Sequence, residues 1–448
     1  MLARGSMAAI LHSLNPNMRI TRSPMDYPRM VFCDGAGRIY DEPNLIATAR
    51  LGVHQVVPDA DEWIPLPEGS DLFLLPDRCA IGWDAQRARF RLASRRSWAA
   101  SAFAPPGYVR SHLPNAHPQE SAQVLPLWAY SAAGWRENRL YVTAFPIQHD
   151  PKGDLAQFNE DELREQIERR LDAFPRNRLL RHLADCARHN NCLAAKNYFL
   201  GRWEGGVPIS QDCPSACEGC ISHQPEGSPI PASHARITFR PTREEAVEVI
   251  VPHLETAPLG MISFGQGCEG EPLCEAAFLE ELLKEVRRQT QRGTLHMNTN
   301  GYAPEAIRRL ARAGLDSIRI SLNSAQEGFY HAYHKPKGYQ FADVVKSAQT
   351  AAMEGLFVSI NYLVFPGLTD HPDEIDAFTR FLEHARPHMV QWKNLNIDPD
   401  QYISCLGLDR LSCSLGVRRT IGILGLRMPH VRFGYFNVPR EQFATATT

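Results

Sequence analysis

The 448-residue chain has no uninterrupted apolar run of about 18 residues, so no membrane-spanning helix is expected. Its formal net charge is only −2, and no stripe of basic residues is interleaved with aromatics. Neither nucleic acid nor an acidic lipid surface is therefore the expected partner. The N-terminus lacks a continuous apolar segment, which argues against a secretory leader. Cysteines number eleven, an odd count with three clustered, so a secreted disulfide framework is not expected and a reducing, cytoplasmic setting fits better. What remains is ordinary globular composition, 44% hydrophobic and 22% charged, in a chain long enough for two or three domains.

The most informative stretch is Cys213-Pro214-Ser215-Ala216-Cys217-Glu218-Gly219-Cys220. Three thiols in a C-x3-C-x2-C pattern, broken by proline and glycine, suit a loop that turns its Cβ vectors toward one metal centre. A helix or strand cannot do so at these offsets. Three thiolates are one fewer than a closed zinc or iron–sulfur site uses. Either another side chain completes the set, His223 being the nearest in sequence, or the fourth position is open to a small molecule. The first alternative is a zinc-stabilised α/β binding protein with a structural Cys3His site.

In chain order, residues 1–25 are expected as a flexible N-terminus and 26–150 as a mostly β N-terminal domain of unknown role. Strand-like runs at 30–32, 71–75 and 139–145 are cut by turns such as Asp34-Gly35 and Pro105-Pro106-Gly107. Cys33 and Cys79 read as buried structural thiols. A helical connector is expected over 151–204, with acids at Glu160, Asp161 and Glu162 opening one helix and Leu163, Ile167 and Leu171 on its apolar face. From 205 to 400 strand and helix alternate six times, with strands over 207–210, 261–264, 295–297, 317–322, 357–365 and 389–397. Thr242-Arg243-Glu244-Glu245 is a capping box for the first helix after the cysteine loop. Such alternation makes a parallel sheet with right-handed crossovers. Residues 401–448 are expected to close the open side, with Tyr402, Asp409 and Arg410 as lining candidates.

Taken with the glycine-rich segment Gly265-Gln266-Gly267-Cys268-Glu269-Gly270-Glu271-Pro272, the cysteine loop resembles that of the radical S-adenosylmethionine (radical SAM) superfamily. The resemblance implies an α/β fold, a partial (β/α)6 barrel preceded here by the β-rich domain. It implies a [4Fe-4S] cluster on Cys213, Cys217 and Cys220, with S-adenosylmethionine (SAM) chelating the fourth iron. Reductive cleavage of SAM would yield a 5′-deoxyadenosyl radical that abstracts a substrate hydrogen. The family commonly has an aromatic residue before the third cysteine, where this chain has Gly219.

By the same resemblance, SAM contacts are expected from Gly270 and Glu271, from Thr299 and Asn300 in the Asn298-Thr299-Asn300-Gly301 turn, from Arg319, Ser321 and Asn323 on and after the fourth strand, and from Val364 on the fifth. Ser317 shares the face of Arg319 and Ser321. Polar Gln391, Lys393 and Asn394 on the sixth strand are candidates to face substrate. Cys268 and Lys393 are the catalytic candidates, Cys268 as a hydrogen-atom donor or cluster ligand, with a packed thiol as its alternative. Cys186 with Cys192, and Cys405 with Cys413, are candidate ligands of a second cluster; Cys274 flanks the glycine-rich segment. The expected partners are SAM, a small-molecule or peptide substrate, and an external one-electron donor of flavodoxin or ferredoxin type.

Overall fold

The computed structural model describes residues 22–93, 97–412 and 414–444. The flexible N-terminus expected over 1–25 lies outside the described residues up to position 21, as does Cys413. The chain divides into two compact units: one runs to Pro146 and includes Val364–Pro372 and Asn394–Ile421, and the other holds the rest.

The first unit is built on antiparallel pairing. Its centre is Arg29–Cys33, which pairs with Ile39–Ala47 along its length and, on its other edge, with Ser131–Arg136 and Trp98–Phe103 in turn. The long strand Asp71–Asp84 pairs with Trp98–Phe103 through a register shift between Leu75 and Cys79. Alternate residues point inward, as the period of a half-buried strand requires. Small side chains dominate that face: Ala100, Ala102, Ala133 and Ala144 pack with Val31, Cys33 and Val142. Cys33 and Cys79 are both buried, as expected.

Two later segments return to this unit and are held by buried charge. Arg78 Nη2 meets Asp398 Oδ2 at 2.9 Å, and the same oxygen accepts from Leu125 N at 2.7 Å. Asp398 Oδ1 caps a helix over Pro399–Leu406 by accepting from Asp400 N. The Arg110 guanidinium is buried and donates to the carbonyls of Tyr130, Val364 and Leu395. Burial pulls its pKa down to about 9.

The second unit opens with three helices, α1 (Glu160–Ala173), α2 (Arg178–His189) and α3 (Leu193–Phe199). Asn159 caps α1 by accepting from Asp161 N and Glu162 N, and Leu163 and Ile167 face the core. A parallel sheet follows, with its strands in chain order: β1 (Glu204–Gly206), β2 (Met261–Phe264), β3 (Thr294–Thr299), β4 (Ser317–Leu322), β5 (Phe357–Val364), β6 (Met389–Asn394) and β7 (Arg432–Gly434). Four strands fall where hydrophobic runs place them. The first is a correction: it spans Glu204–Gly206 and none of the expected 207–210, because Gly205 and Gly206 pair with Ile262 and Ser263 while carrying no apolar signal. The sixth ends at Asn394, earlier than expected.

The seventh strand is a correction to the six-unit expectation: Arg432, Phe433 and Gly434 pair in parallel with Met389, Val390 and Gln391. Between the strands lie α4 (Arg243–Thr256), α5 (Ala276–Gln289), α6 (Pro304–Arg312), α7 (Glu327–His334), α8 (Phe341–Met353) and α9 (Pro372–Ala385). The capping box at Thr242 and Glu245 forms at the start of α4. The sequence reading leaves α7 out, since its eight residues lack a long apolar repeat. Among the described residues, no helix is long and apolar enough to cross a membrane.

Removing one partner of a buried ion pair leaves the other charge uncompensated, at a cost of about 3–5 kcal/mol. Asp398→Ala is expected to destabilise the first unit by that order, seen as a lower urea midpoint than wild type.

Candidate active site around a three-thiol loop

The thiol loop follows β1 and is fastened by backbone hydrogen bonds on two sides. On one side, Gly270 N donates to Ser210 O at 2.8 Å and Glu271 N donates to Asp212 O at 2.7 Å. The approach is so close that a Cβ at position 270 would lie 2.0 Å from Asp212 O, so only glycine fits. On the other side, Ala216 N donates to His334 O, Glu218 N to Tyr333 O, and Lys337 N to Pro214 O. The helix α7 and the turn after it therefore carry one wall of the loop.

Two buried carboxylates organise the turn after β2. Glu269 accepts four backbone N–H groups: Ile209 at 2.8 Å and Ser210 at 3.1 Å on one oxygen, Gly265 at 2.6 Å and Gln266 at 2.7 Å on the other. It thereby welds the exit of β1 to the exit of β2. Burial pushes its pKa up to about 7 against the four N–H bonds, which pull it down. A proton on either oxygen would have to displace one of those donors, which favours the ionised form. Sequence reasoning passes over Glu269 as part of an insertion.

Glu271 continues the chain of contacts. Its carboxylate accepts from Thr299 Oγ1 at 2.6 Å, from Asn300 N at 2.8 Å and from Leu273 N at 3.1 Å. Asn300 Nδ2 then donates to Ser215 Oγ at 3.1 Å, and that hydroxyl meets Tyr339 Oη at 2.7 Å. The expected residues Gly270, Glu271, Thr299 and Asn300 are thus brought to the thiol loop in one closed ring of hydrogen bonds. A carboxylate offers about four lone-pair sites, so Glu271 retains one after its three donors.

The thiols themselves sit in a poorly solvated place. Burial pushes the Cys213 thiol up to about 12, with the Glu271 charge adding to it, and Cys217 goes well above its ordinary value from burial and from Cys213 and Cys220. Thiols raised as far as those of Cys213 and Cys217 ionise readily only when bound to cations. Cys217 Sγ lies 3.3 Å from His334 Nδ1 and Cys220 Sγ 3.4 Å from Arg236 Nη2. Both groups can donate to a charged sulfur; neither has a spacing signal that would reveal it in the sequence. His223, the ligand considered for a zinc knuckle, is exposed. Nor do the loop thiols belong to any group of at least three metal-ligand side chains, among the described residues, whose ligand atoms all lie within 4.8 Å of one another.

Other expected residues have different neighbourhoods. Arg319 Nη1 donates to Gln391 Oε1 at 2.9 Å, and Gln391 Nε2 to Asn437 Oδ1 at 2.8 Å. Asn437 in turn donates to Glu204, which also accepts from Ser263 Oγ. Ser317 meets His296, Ser321 accepts from Asn361, and Asn323 donates to Phe329 O. The Lys393 ammonium stands 3.3 Å from the centre of the Tyr435 ring, and burial holds its pKa well below the usual range. Asn394 is a correction: it clamps backbone, accepting from Arg110 N and donating to Tyr108 O, so its amide is not free for substrate. Val364 ends β5, and its carbonyl accepts from Arg110 and from Leu395 N. Tyr402 is buried against Phe365, and Asp409 and Arg410 are exposed. Cys268 is buried beside Cys186 and His182. Cys274 is exposed, with Tyr302 Oη 3.9 Å from its sulfur.

Residues 207–381 match the family model described as the radical SAM superfamily. Over those residues the chain is similar to that superfamily, whose members use a [4Fe-4S] cluster and SAM. Among solved structures it is similar to HydG, the FeFe-hydrogenase maturase of Carboxydothermus hydrogenoformans, at 14% identity and a TM-score of 0.37 over 64% of this chain and 68% of that one. It is similar to SuiB of Streptococcus suis bound to SAM, at 14% identity and 0.37 over 59% and 55%. TsrM, a radical SAM methyltransferase of Kitasatospora setae, gives 16% and 0.33 over 42% and 36%. Another HydG structure is matched over 66% of its length, so the chain spans between about a third and two thirds of these proteins. No curated protein matches it.

Leaving buried N–H donors without an acceptor costs about 1–3 kcal/mol each. In Glu269→Gln, the amide nitrogen faces donors where an oxygen accepted them. The variant is expected to melt several degrees lower than wild type and to bind SAM more weakly, measured by calorimetry on the anaerobic protein.

Proposed function

We propose that Cys213, Cys217 and Cys220 hold three irons of a [4Fe-4S] cluster, and that SAM docks on the fourth iron between the Gly270-Glu271 and Thr299-Asn300 turns, at the C-terminal ends of the parallel strands. The observation that carries this reading is the closed ring of hydrogen bonds joining those turns to the thiol loop through Glu271, Asn300 and Ser215. When bound, the cluster supplies the electron that cleaves the sulfonium. The chain's own part is to orient and to balance charge. The lone pair left on Glu271 accepts from the ammonium of SAM. Arg236 and His334 donate to the sulfurs of Cys220 and Cys217, which eases the accumulation of negative charge there. Ser321, Asn323, Arg319 and Val364 are the further SAM contacts in this reading.

The substrate is a small molecule or a peptide. Buried Gln391 and half-buried Lys393 supply polar and cationic groups suited to anchor an anionic or amide-bearing group of it. An external one-electron donor and a reducing, cytoplasmic setting belong to the same proposal.

Anaerobic purification, iron and sulfide counting, and a 5′-deoxyadenosine assay with a chemical reductant test it. Wild type is expected to be brown and to release deoxyadenosine from SAM, and Cys217→Ala to release none while keeping its far-ultraviolet dichroism. Deoxyadenosine from Cys217→Ala, or a chain that holds no iron, would contradict the reading.

A further inference from the structure

A second set of metal-binding side chains lies outside the thiol loop. His182 and Cys186 stand four residues apart on α2, a spacing that puts both on one helix face. The third member, Cys268, comes from the turn after β2, more than eighty positions away in the chain and buried to 3% exposure. The three ligand atoms, one imidazole nitrogen and two sulfurs, all lie within 4.8 Å of one another. His182 Nε2 is 3.6 Å from Cys186 Sγ. Among the described residues this is the one group of three or more His, Cys, Asp or Glu side chains with such convergence.

The spacing discriminates between kinds of metal centre. A tetrahedral zinc ion with Zn–S bonds of about 2.3 Å separates its ligand atoms by about 3.8 Å. The observed spread needs only small side-chain adjustments to reach that value. An iron–sulfur cubane holds its cysteines apart by its own bulk and would have to push these three side chains outward. Two thiolates and one imidazole suit zinc, and not the magnesium, calcium or manganese ions that oxygen ligands select. Cys192, at the start of α3, is not one of the three converging ligands.

We propose that His182, Cys186 and Cys268 bind a single zinc ion. The ion staples α2 to the turn that carries Glu269 and Glu271. Cys268 immediately precedes Glu269, whose four N–H bonds join β1 to β2, so a bond at Cys268 restrains the same turn from its other side. On this assignment Cys268 is a structural ligand and not a hydrogen-atom donor. The site uses none of the thiols of the cysteine loop, so it stands or falls separately from the cluster.

The test counts zinc and iron on the full chain, purified anaerobically. One zinc per chain is expected in wild type and in Cys217→Ala. Cys186→Ser and Cys268→Ser are expected to lose the zinc and to keep most of the iron. Should the serine variants fail to fold, cobalt(II) added to metal-stripped wild type decides the matter: it is expected to give the intense visible bands of a tetrahedral thiolate site. Absence of zinc and of those bands overturns the assignment. So does zinc that survives both serine variants, a Cys186–Cys268 disulfide in the purified protein, or iron beyond one cluster that disappears with them.

Discussion

One carboxylate holds the exits of two strands together. Glu269 takes four backbone N–H groups, two from Ile209 and Ser210 beyond β1 and two from the turn after β2, in a place with almost no water. Without it, those donors would be buried and unpaired, and the thiol loop that begins three residues later would have no fixed origin. From that point the order spreads outward. Gly270 and Glu271 lie against Ser210 and Asp212, Glu271 reaches Thr299 and Asn300, and Asn300 returns to Ser215 within the loop. Each contact is short because the one before it is fixed. This is the kind of support a site needs if its ligands are to be held before the metal arrives.

A second polar network occupies the interior of the same sheet and has a different character. Glu204, Ser263, Arg319, Gln391 and Asn437 are linked side chain to side chain, with Lys393 capped by aromatic rings. Such groups are costly to bury unless paired. Arg319 Nε is left with no hydrogen-bond partner, which marks a place where an additional acceptor would be favourable. On the proposed function, the ring around the thiols belongs to the cofactors, and Gln391 and Lys393 of the interior network belong to the substrate.

Much of this was legible in the sequence, for physical reasons that can be named. The thiol loop announces itself by spacing, and β4 by a run of alternating polar and apolar residues that the sheet confirms over Ser317–Leu322. The capping box at Thr242 fixes the start of α4. What escaped notice is what depends on three-dimensional return of the chain. β7 has only three residues and is added by pairing alone. Glu269 looks like any acid in a turn until four amides are seen to converge on it. Asn394 reads as a polar strand residue, yet it serves to clamp Tyr108 and Arg110. Arg236 and His334 come from distant segments, and no local pattern could have assigned them to the sulfurs. Cys186 and Cys268 lie more than eighty positions apart, and no local spacing relates them.

If the three-thiol loop leaves one iron of its cluster for SAM, the electronic environment of that cluster changes when SAM docks. The most direct measurement is the electron paramagnetic resonance spectrum of the reduced, anaerobic protein, recorded before and after SAM is added. The account predicts the signal of a single reduced [4Fe-4S] cluster whose g values shift when SAM binds. A cluster signal indifferent to SAM, or no cluster signal at all in protein that retains its fold, would contradict it.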